Sequence, residues 1–359
     1  MISLLNKIIK SKSITPNDKN CQRILKKFFK NIGFQVFSFK KNNIKNSIFI
    51  RFPKKKIKYL LSGHSDVVSA NKMENWMFYP FYLGFKNKYL YSRGIVDMKA
   101  ALICFCYSVK FALKTNNDTN IAVIITSNEE GNSKFGTLEL VKLIKRKNIK
   151  IENTIIGEPT SNKKLFDCIK NGRRGSANFQ IEIKGKQGHS AYPKNTINPI
   201  KKLVKLYKYI SKINTKKNNI QITTIKTINK SLNIIPGEII ININIRYTNK
   251  NKLLFLIRKI GEKLNKRKNK LKKINNSKPY YKKSKKLIKK IIKIIKIKKK
   301  NIKITKTIGG TSDGRFIQKI TKNIIEIGLL NKTAHKYNER THIKHLFKLM
   351  IFYRKLILI

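Results

Sequence analysis

The sequence predicts an α/β protein: an α/β/α domain built on a mixed sheet, interrupted by an inserted α+β domain of ferredoxin-like type. Three observations predict it. Short apolar runs each end in a polar cluster and are followed by helix-like stretches, the pattern of an α/β domain. From about residue 170 the pattern changes to strict alternation, the period of a half-exposed antiparallel sheet. From about residue 284 a helix and further short strands return to the first domain.

The elements follow in order. Residues 4–9 form a first helix, Ser13-Ile14-Thr15-Pro16-Asn17-Asp18 turns the chain, and a second helix follows. Tyr59-Leu60-Leu61 runs into Gly63-His64-Ser65-Asp66. The apolar run 121–125 leads to Ser127-Asn128-Glu129-Glu130-Gly131, and 154–156 leads to Gly157-Glu158-Pro159-Thr160. Helical stretches at 98–113 and 138–145 lie between them. In the insert, Ala177, Phe179, Ile181 and Ile183 alternate with polar residues, as do Ile241, Ile243 and Ile245. A helix at 199–213 and a strand near 220–227 separate these strands. The expected division is 1–168, 169–280 and 281–359. Residues 263–276 read as a solvated helix end and loop. Residues 287–300 read as an amphipathic helix facing the core, with its solvated side taken over by lysine.

The chain has 359 residues, enough for two domains, and 41% of them are apolar. There are 82 Lys plus Arg against 17 Asp plus Glu, a formal charge of +65. Such a balance raises nucleic acid or an anionic surface as a partner. The cations are spread along the chain instead of gathered in one footprint. Lys, Ile and Asn share A/T-rich codons, so compositional drift accounts for all three together. Nucleic-acid binding is expected to be non-specific if it occurs. The cysteines Cys21, Cys104, Cys106 and Cys168 form no disulfide or zinc-knuckle spacing, which fits a reducing, cytoplasmic compartment. Lysines break the apolar residues of the N-terminus, so no signal peptide is expected, and no apolar run reaches membrane-spanning length.

With so few acids, each one set in a Gly- or His-bearing motif stands out. Ligands of α/β domains gather beyond the carboxyl ends of the strands, where these tips lie. His64 follows a strand and Asp66 shares its face, where a carboxylate can orient the imidazole. Asp97 stands where a loop enters a helix; it can cap that helix or bridge two cations. Glu129 and Glu130 are adjacent carboxylates that repel unless a cation or solvent lies between them. One can ligate a metal while the other serves as general base on a water. Glu158 and His335 complete a nitrogen and oxygen donor set suited to zinc, with cobalt and manganese as alternatives.

These residues stand in motifs that resemble the M20 metallopeptidase family over nearly the whole chain. The general motifs are Gly63-His64-Ser65-Asp66-Val67-Val68, Trp76 with Pro80-Phe81, Arg93-Gly94 with Asp97-Met98-Lys99, and Glu129-Glu130-Gly131 with Gly136-Thr137. Further stretches resemble the branch of the family that cleaves N-succinyl-LL-2,6-diaminopimelate to succinate and LL-2,6-diaminopimelate. They are Lys170-Asn171-Gly172-Arg173-Arg174-Gly175-Ser176, Gly188-His189-Ser190-Ala191-Tyr192-Pro193 and Asn233-Ile234-Ile235-Pro236-Gly237-Glu238. Gly309-Gly310-Thr311-Ser312-Asp313-Gly314-Arg315-Phe316 and His335-Lys336 with Asn338-Glu339 complete the set.

The resemblance implies two zinc ions per subunit, with cobalt able to replace them. His64, Asp97 and Glu158 would hold one; Asp97, Glu130 and His335 would hold the other, with Asp97 shared. Glu129 would be the general base and Asp66 would orient His64. The inserted domain would form a homodimer, bringing His189 into the partner's site to steady the oxyanion. Arg173, Tyr192, Asn233, Arg246, Thr311 and Asn331 match positions that grip substrate carboxylates and amines. The chain departs from the family at Ser92 and Ala100, where glycine is usual, and at Asn128, where aspartate is usual. Rival expectations are another amidohydrolase of the family, such as an acetylornithine deacetylase or an aminoacylase, and a polyanion-binding protein on a retired enzyme scaffold.

Overall fold

The computed structural model describes residues 1–41, 44–52, 55–131, 133, 135–227, 229, 231–264, 269–296, 301–306 and 309–359. The chain divides into two units, one of residues 1–172, 282–306 and 312–359, the other of 173–281 and 307–311. The first boundary falls later than expected because Cys168–Lys170 pairs in parallel with Lys303–Thr305, which ties that strand to the first unit.

The first unit is built on an eight-stranded mixed sheet. Its order is Gln35–Lys41, Ile44–Ile50, Ile121–Thr126, Ile57–His64, Ile151–Ile156, Thr321–Glu326, Cys168–Lys170 and Lys303–Thr305. Ile57–His64 lies in the middle and is parallel to both neighbours. Central parallel strands are covered on both faces, which explains their unbroken apolar runs. Ile121–Thr126 is buried along its whole length. Tyr59, Leu61, Val123, Ile125, Ile155 and Ile325 share one core with the helices Ile2–Lys10, Cys21–Lys30, Ala100–Thr115 and Ile343–Leu358. Residues between them, such as Leu60 and Ile124, point to the opposite face. There the helix Thr137–Arg146 buries Leu140, Val141 and Ile144.

The helix expected at 98–113 runs over Ala100–Thr115. It is buried on nearly every side, from Ala100 through Val109, Ala112 and Leu113, and packs against Ile343–Leu358. Cys104 and Cys106 are fully buried there, as small apolar fillers. The helix expected at 287–300 runs over Lys285–Ile295 and buries Leu287, Ile288 and Ile291, with lysines outward; residues 297–300 lie outside the described residues. Among the described residues, no helix is long and apolar enough to cross a membrane.

The second unit carries a four-stranded antiparallel sheet in the order Asn219–Thr227, Glu238–Tyr247, Gly175–Lys184 and Lys270–Ser277. With the helices Pro199–Ile213 and Lys250–Leu264, the chain order is β-α-β-β-α-β, the ferredoxin-like arrangement. Ala177, Phe179 and Ile181 face Ile245, Ile243 and Ile241 across the ladder. These residues pack with Leu203, Leu206, Ile210, Leu256 and Ile260 of the helices. One expectation is corrected here. Where the sequence predicts a helix end and loop over 263–276, Lys270–Ser277 is an edge strand paired with Gly175–Lys184. Mostly exposed edge residues need no apolar alternation, so lysine and asparagine hid the strand from the pattern.

Candidate active site

Five segments of the first unit deliver the metal-type donors. His64 ends its strand and is 1% exposed, because the sheet and the loop 65–70 close over it. Its neighbour Gly63 lets Met98 pack close to the strand end, since a Cβ there would lie 2.5 Å from Met98 Cε. Glu129 and Glu130 follow the strand Ile121–Thr126, and Glu158 follows Ile151–Ile156. Asp97 lies in the turn before the helix Ala100–Thr115, where Gly94 takes φ +79° and the Asp97–Met98 peptide is cis. His335 comes from the last crossover and holds a left-handed φ of +61°.

Asp97 sits at the centre. Its Oδ1 is 3.2 Å from His64 Nε2 and its Oδ2 is 3.3 Å from His335 Nε2. His335 Nε2 also lies 2.8 Å from Glu130 Oε1, and His64 Nε2 lies 3.9 Å from Glu158 Oε1. Donor atoms of His64, Asp97 and Glu130 lie within 4.8 Å of one another, as do those of His64, Glu129 and Glu158. The structure thus gathers His64, Asp97, Glu129, Glu130, Glu158 and His335 from distant parts of the chain. Imidazole nitrogens and carboxylate oxygens, with no thiolate among them, fit zinc and similar divalent ions.

The Asp66 carboxylate faces His64, with Oδ1 3.8 Å from Nδ1, and makes further contacts besides. His64 Nδ1 is 2.9 Å from the backbone carbonyl of Asp66, so that carbonyl orients the ring. The Asp66 carboxylate accepts the backbone N–H groups of Glu129, at 3.2 Å, and Glu130, at 3.1 Å. It therefore fixes the acidic pair relative to His64.

The electrostatics follow from burial of like charges. Burial, then Glu158 and Asp313, pushes the Glu129 carboxyl well above the ordinary range. Burial also lifts Asp66 to about 6. Asp97 is held low despite its burial, because both imidazoles hydrogen-bond to it. Burial opposes the charged form of His64, yet Asp97 and Asp66 raise its pKa well above the usual value. Hydrogen bonds donated to Asp97 and Glu130 bring His335 to about 10.

Sequence reading missed several supports. Asp313 accepts from Thr126 Oγ1 at 3.4 Å and from Thr137 Oγ1, which ties the 309–316 motif to the strand that leads to Glu129. Lys99 is fully buried, and its ammonium donates to the Ile8 carbonyl at 2.7 Å. Its place in the Asp97-Met98-Lys99 motif was the only available signal. Ser92, where glycine was expected, does not adopt positive φ, so its backbone needs no glycine.

The remaining residues assigned from the resemblance lie mostly in the second unit. His189 pairs with Ile234 in a short ladder, accepts Ala191 N–H on Nδ1 at 3.1 Å, and has its ring 5.8 Å from that of Tyr192. The Asn233 carbonyl accepts Ser190 N–H at 2.9 Å, which joins the two short segments. Arg173 is buried and Nη1 donates to Gly310 at 3.5 Å, near Thr311. Arg246 is half-buried in the sheet opposite Ser176. Asn331, in the first unit, donates its N–H to the Ser161 carbonyl at 2.8 Å, just beyond the Glu158 tip.

Residues 60–359 match the model of peptidase family M20/M25/M40. A relative from Wigglesworthia glossinidia brevipalpis, named succinyl-diaminopimelate desuccinylase, is 37% identical over 369 aligned residues, covering 99% of this chain and 97% of that protein. One of the same name from Blochmanniella floridana is 36% identical over 377 residues, covering 99% and 97%. Among solved structures, a tripeptidase from Staphylococcus aureus superposes with a TM-score of 0.80 at 18% identity, covering 100% of this chain and 96% of that one. A metallo-carboxypeptidase from Sulfolobus solfataricus gives 0.79 at 16%, covering 99% and 98%. At these identities the structural likeness speaks to fold alone.

The His335 cluster predicts a pH dependence of the chelator-treated protein. The folded pKa of about 10 lies above the ordinary 6.5, so the ion pairs contribute fully below about pH 6.5. Their contribution is lost as pH rises through about 10. The melting-temperature gap between the wild type and His335→Asn should therefore shrink across that interval. A gap that stays constant, or widens, would contradict the assignment.

Proposed function

The chain belongs to peptidase family M20/M25/M40, and on that premise we propose that it hydrolyses N-succinyl-LL-2,6-diaminopimelate to succinate and LL-2,6-diaminopimelate. It is a metal-dependent amide hydrolase of the diaminopimelate pathway. The observation that carries the chemistry is Asp97, with one carboxylate oxygen toward each histidine and Glu129 beside it. The substrate rests on full-length relatives that bear the desuccinylase name.

We assign His64, Asp97 and Glu158 to one zinc ion and Asp97, Glu130 and His335 to a second, with cobalt as an accepted substitute. When bound, such ions supply Lewis acidity, polarising the amide carbonyl and making water acidic near neutral pH. Asp66 holds Glu129 and Glu130 in place through their backbone N–H groups. Glu129 takes the proton from the attacking water on its carboxylate. Glu129 then delivers that proton to the departing amine nitrogen. Arg173 and Arg246 suit the substrate carboxylates, because a guanidinium offers a bidentate fork. Tyr192, Asn233, Thr311 and Asn331 supply neutral polar contacts.

We further assign the second unit to homodimer formation, with His189 of the partner subunit donating to the oxyanion. Its strand Asn219–Thr227 is a sheet edge, and Ile200, Val204, Tyr207 and Ile225 beside it are exposed. Four free, buried cysteines support a reducing, cytoplasmic setting.

Glu129→Gln should lower kcat by about 10²–10⁴-fold while zinc content stays near that of the wild type; loss of zinc would make Glu129 a ligand instead. Zinc-reconstituted enzyme should cleave N-succinyl-LL-2,6-diaminopimelate far faster than N-acetylornithine, and the reverse preference would overturn the substrate. Sedimentation should give a dimer at assay concentrations. A fully active monomer would remove His189 from the chemistry.

A further inference from the structure

Glu339 is a carboxylate with no solvent exposure, and both of its oxygens accept hydrogen bonds. Its Oε2 accepts Arg93 Nη1 at 2.7 Å and the Gly94 N–H at 2.9 Å. Its Oε1 accepts the N–H groups of Val96, at 2.8 Å, and Asp97, at 3.2 Å. Its own carbonyl accepts the Ser92 N–H at 3.1 Å. The turn that carries Asp97 is thus wrapped around one side chain from the segment that carries His335.

The rest of that segment is docked to the same region. Asn338 Oδ1 accepts the Met77 N–H at 2.7 Å, and Arg93 Nη1 also reaches the Lys336 carbonyl at 3.4 Å. The Arg93 guanidinium lies 4.9 Å from the Trp76 ring, and Arg93 donates its own N–H to Pro80. A buried carboxylate that accepts several N–H bonds is a rigid joint, because removing one acceptor strands donors with no water to replace it.

We propose that Glu339 is a positioning residue that fixes the backbone of Asp97 and locks it to the His335 segment, so that the Asp97–His335 pair reaches one metal ion as a preformed unit. The inference rests on the ligand assignment above. It acts through Asp97 without touching substrate. Supports of this kind typically change metal affinity or activity by about 10–100-fold.

The test is Glu339→Gln, which keeps the shape but turns an amide NH₂ toward two of the donors. Zinc titrated calorimetrically into chelator-treated protein should bind the His335 site about 10–100-fold more weakly, leaving the other site less affected. Amide exchange at Val96 and Asp97 should quicken, and emission from Trp76, the only tryptophan, should shift as Arg93 is released. kcat should fall with KM nearly unchanged and recover in part with excess zinc. Glu339→Asp, which keeps the charge, should lie between. Unaltered zinc affinity and amide exchange in the Gln variant would overturn the proposal. So would unfolding of both variants, which would make Glu339 a residue of general stability. If the wild type itself bound no zinc at this cluster, the ligand assignment would fail instead, and the two failures are distinguishable.

Discussion

Five carboxylates meet within one pocket of this molecule: Asp66, Asp97, Glu129, Glu130 and Glu158. Nothing in a protein interior tolerates that density of negative charge unless donors or cations answer it. Much of the first unit can be understood as the answer. Parallel strands end together and present their tips on one side. Backbone N–H groups are spent on Asp66, imidazoles on Asp97, and the remaining deficit defines the cations the site takes. The α/β sheet is the scaffold because it brings successive tips to one edge at strand spacing.

Much of this was legible in the sequence, for a local reason. A strand followed by Gly-His-Ser-Asp or by Asn-Glu-Glu-Gly is a short, contiguous signal, and acids are scarce enough here for each to be noticed. The alternation of Ala177 through Ile183 with polar residues announced the second sheet as clearly. What stayed hidden was non-local or featureless. Lys270–Ser277 is a strand only because Gly175–Lys184 offers it a partner. That the Asp66 carboxylate also accepts the Glu129 and Glu130 N–H groups stayed hidden, because nothing local reveals donors more than sixty residues along the chain. Asp313 likewise finds Thr126 and Thr137 across the fold.

The charge of +65 lies outside this logic. The lysines of the Lys285–Ile295 helix sit opposite its buried Leu287, Ile288 and Ile291, where any solvated residue would serve. Long aliphatic stems let lysine cover apolar surface while keeping its charge in water. The catalytic interior and the lysine-rich exterior have thus been shaped by separate demands.

Lys99 is where those demands coincide. On the solvated side of Lys285–Ile295 a lysine is one spelling among several; at position 99 the side chain has a buried carbonyl to reach. Its stem crosses the core and its ammonium closes the open end of the first helix at the Ile8 carbonyl, two residues from Asp97 in sequence. The first helix, far from the strand tips in the chain, is therefore a foundation for the metal-facing turn. A compositional tide that writes lysine at random could neither improve that position nor be seen to have spared it.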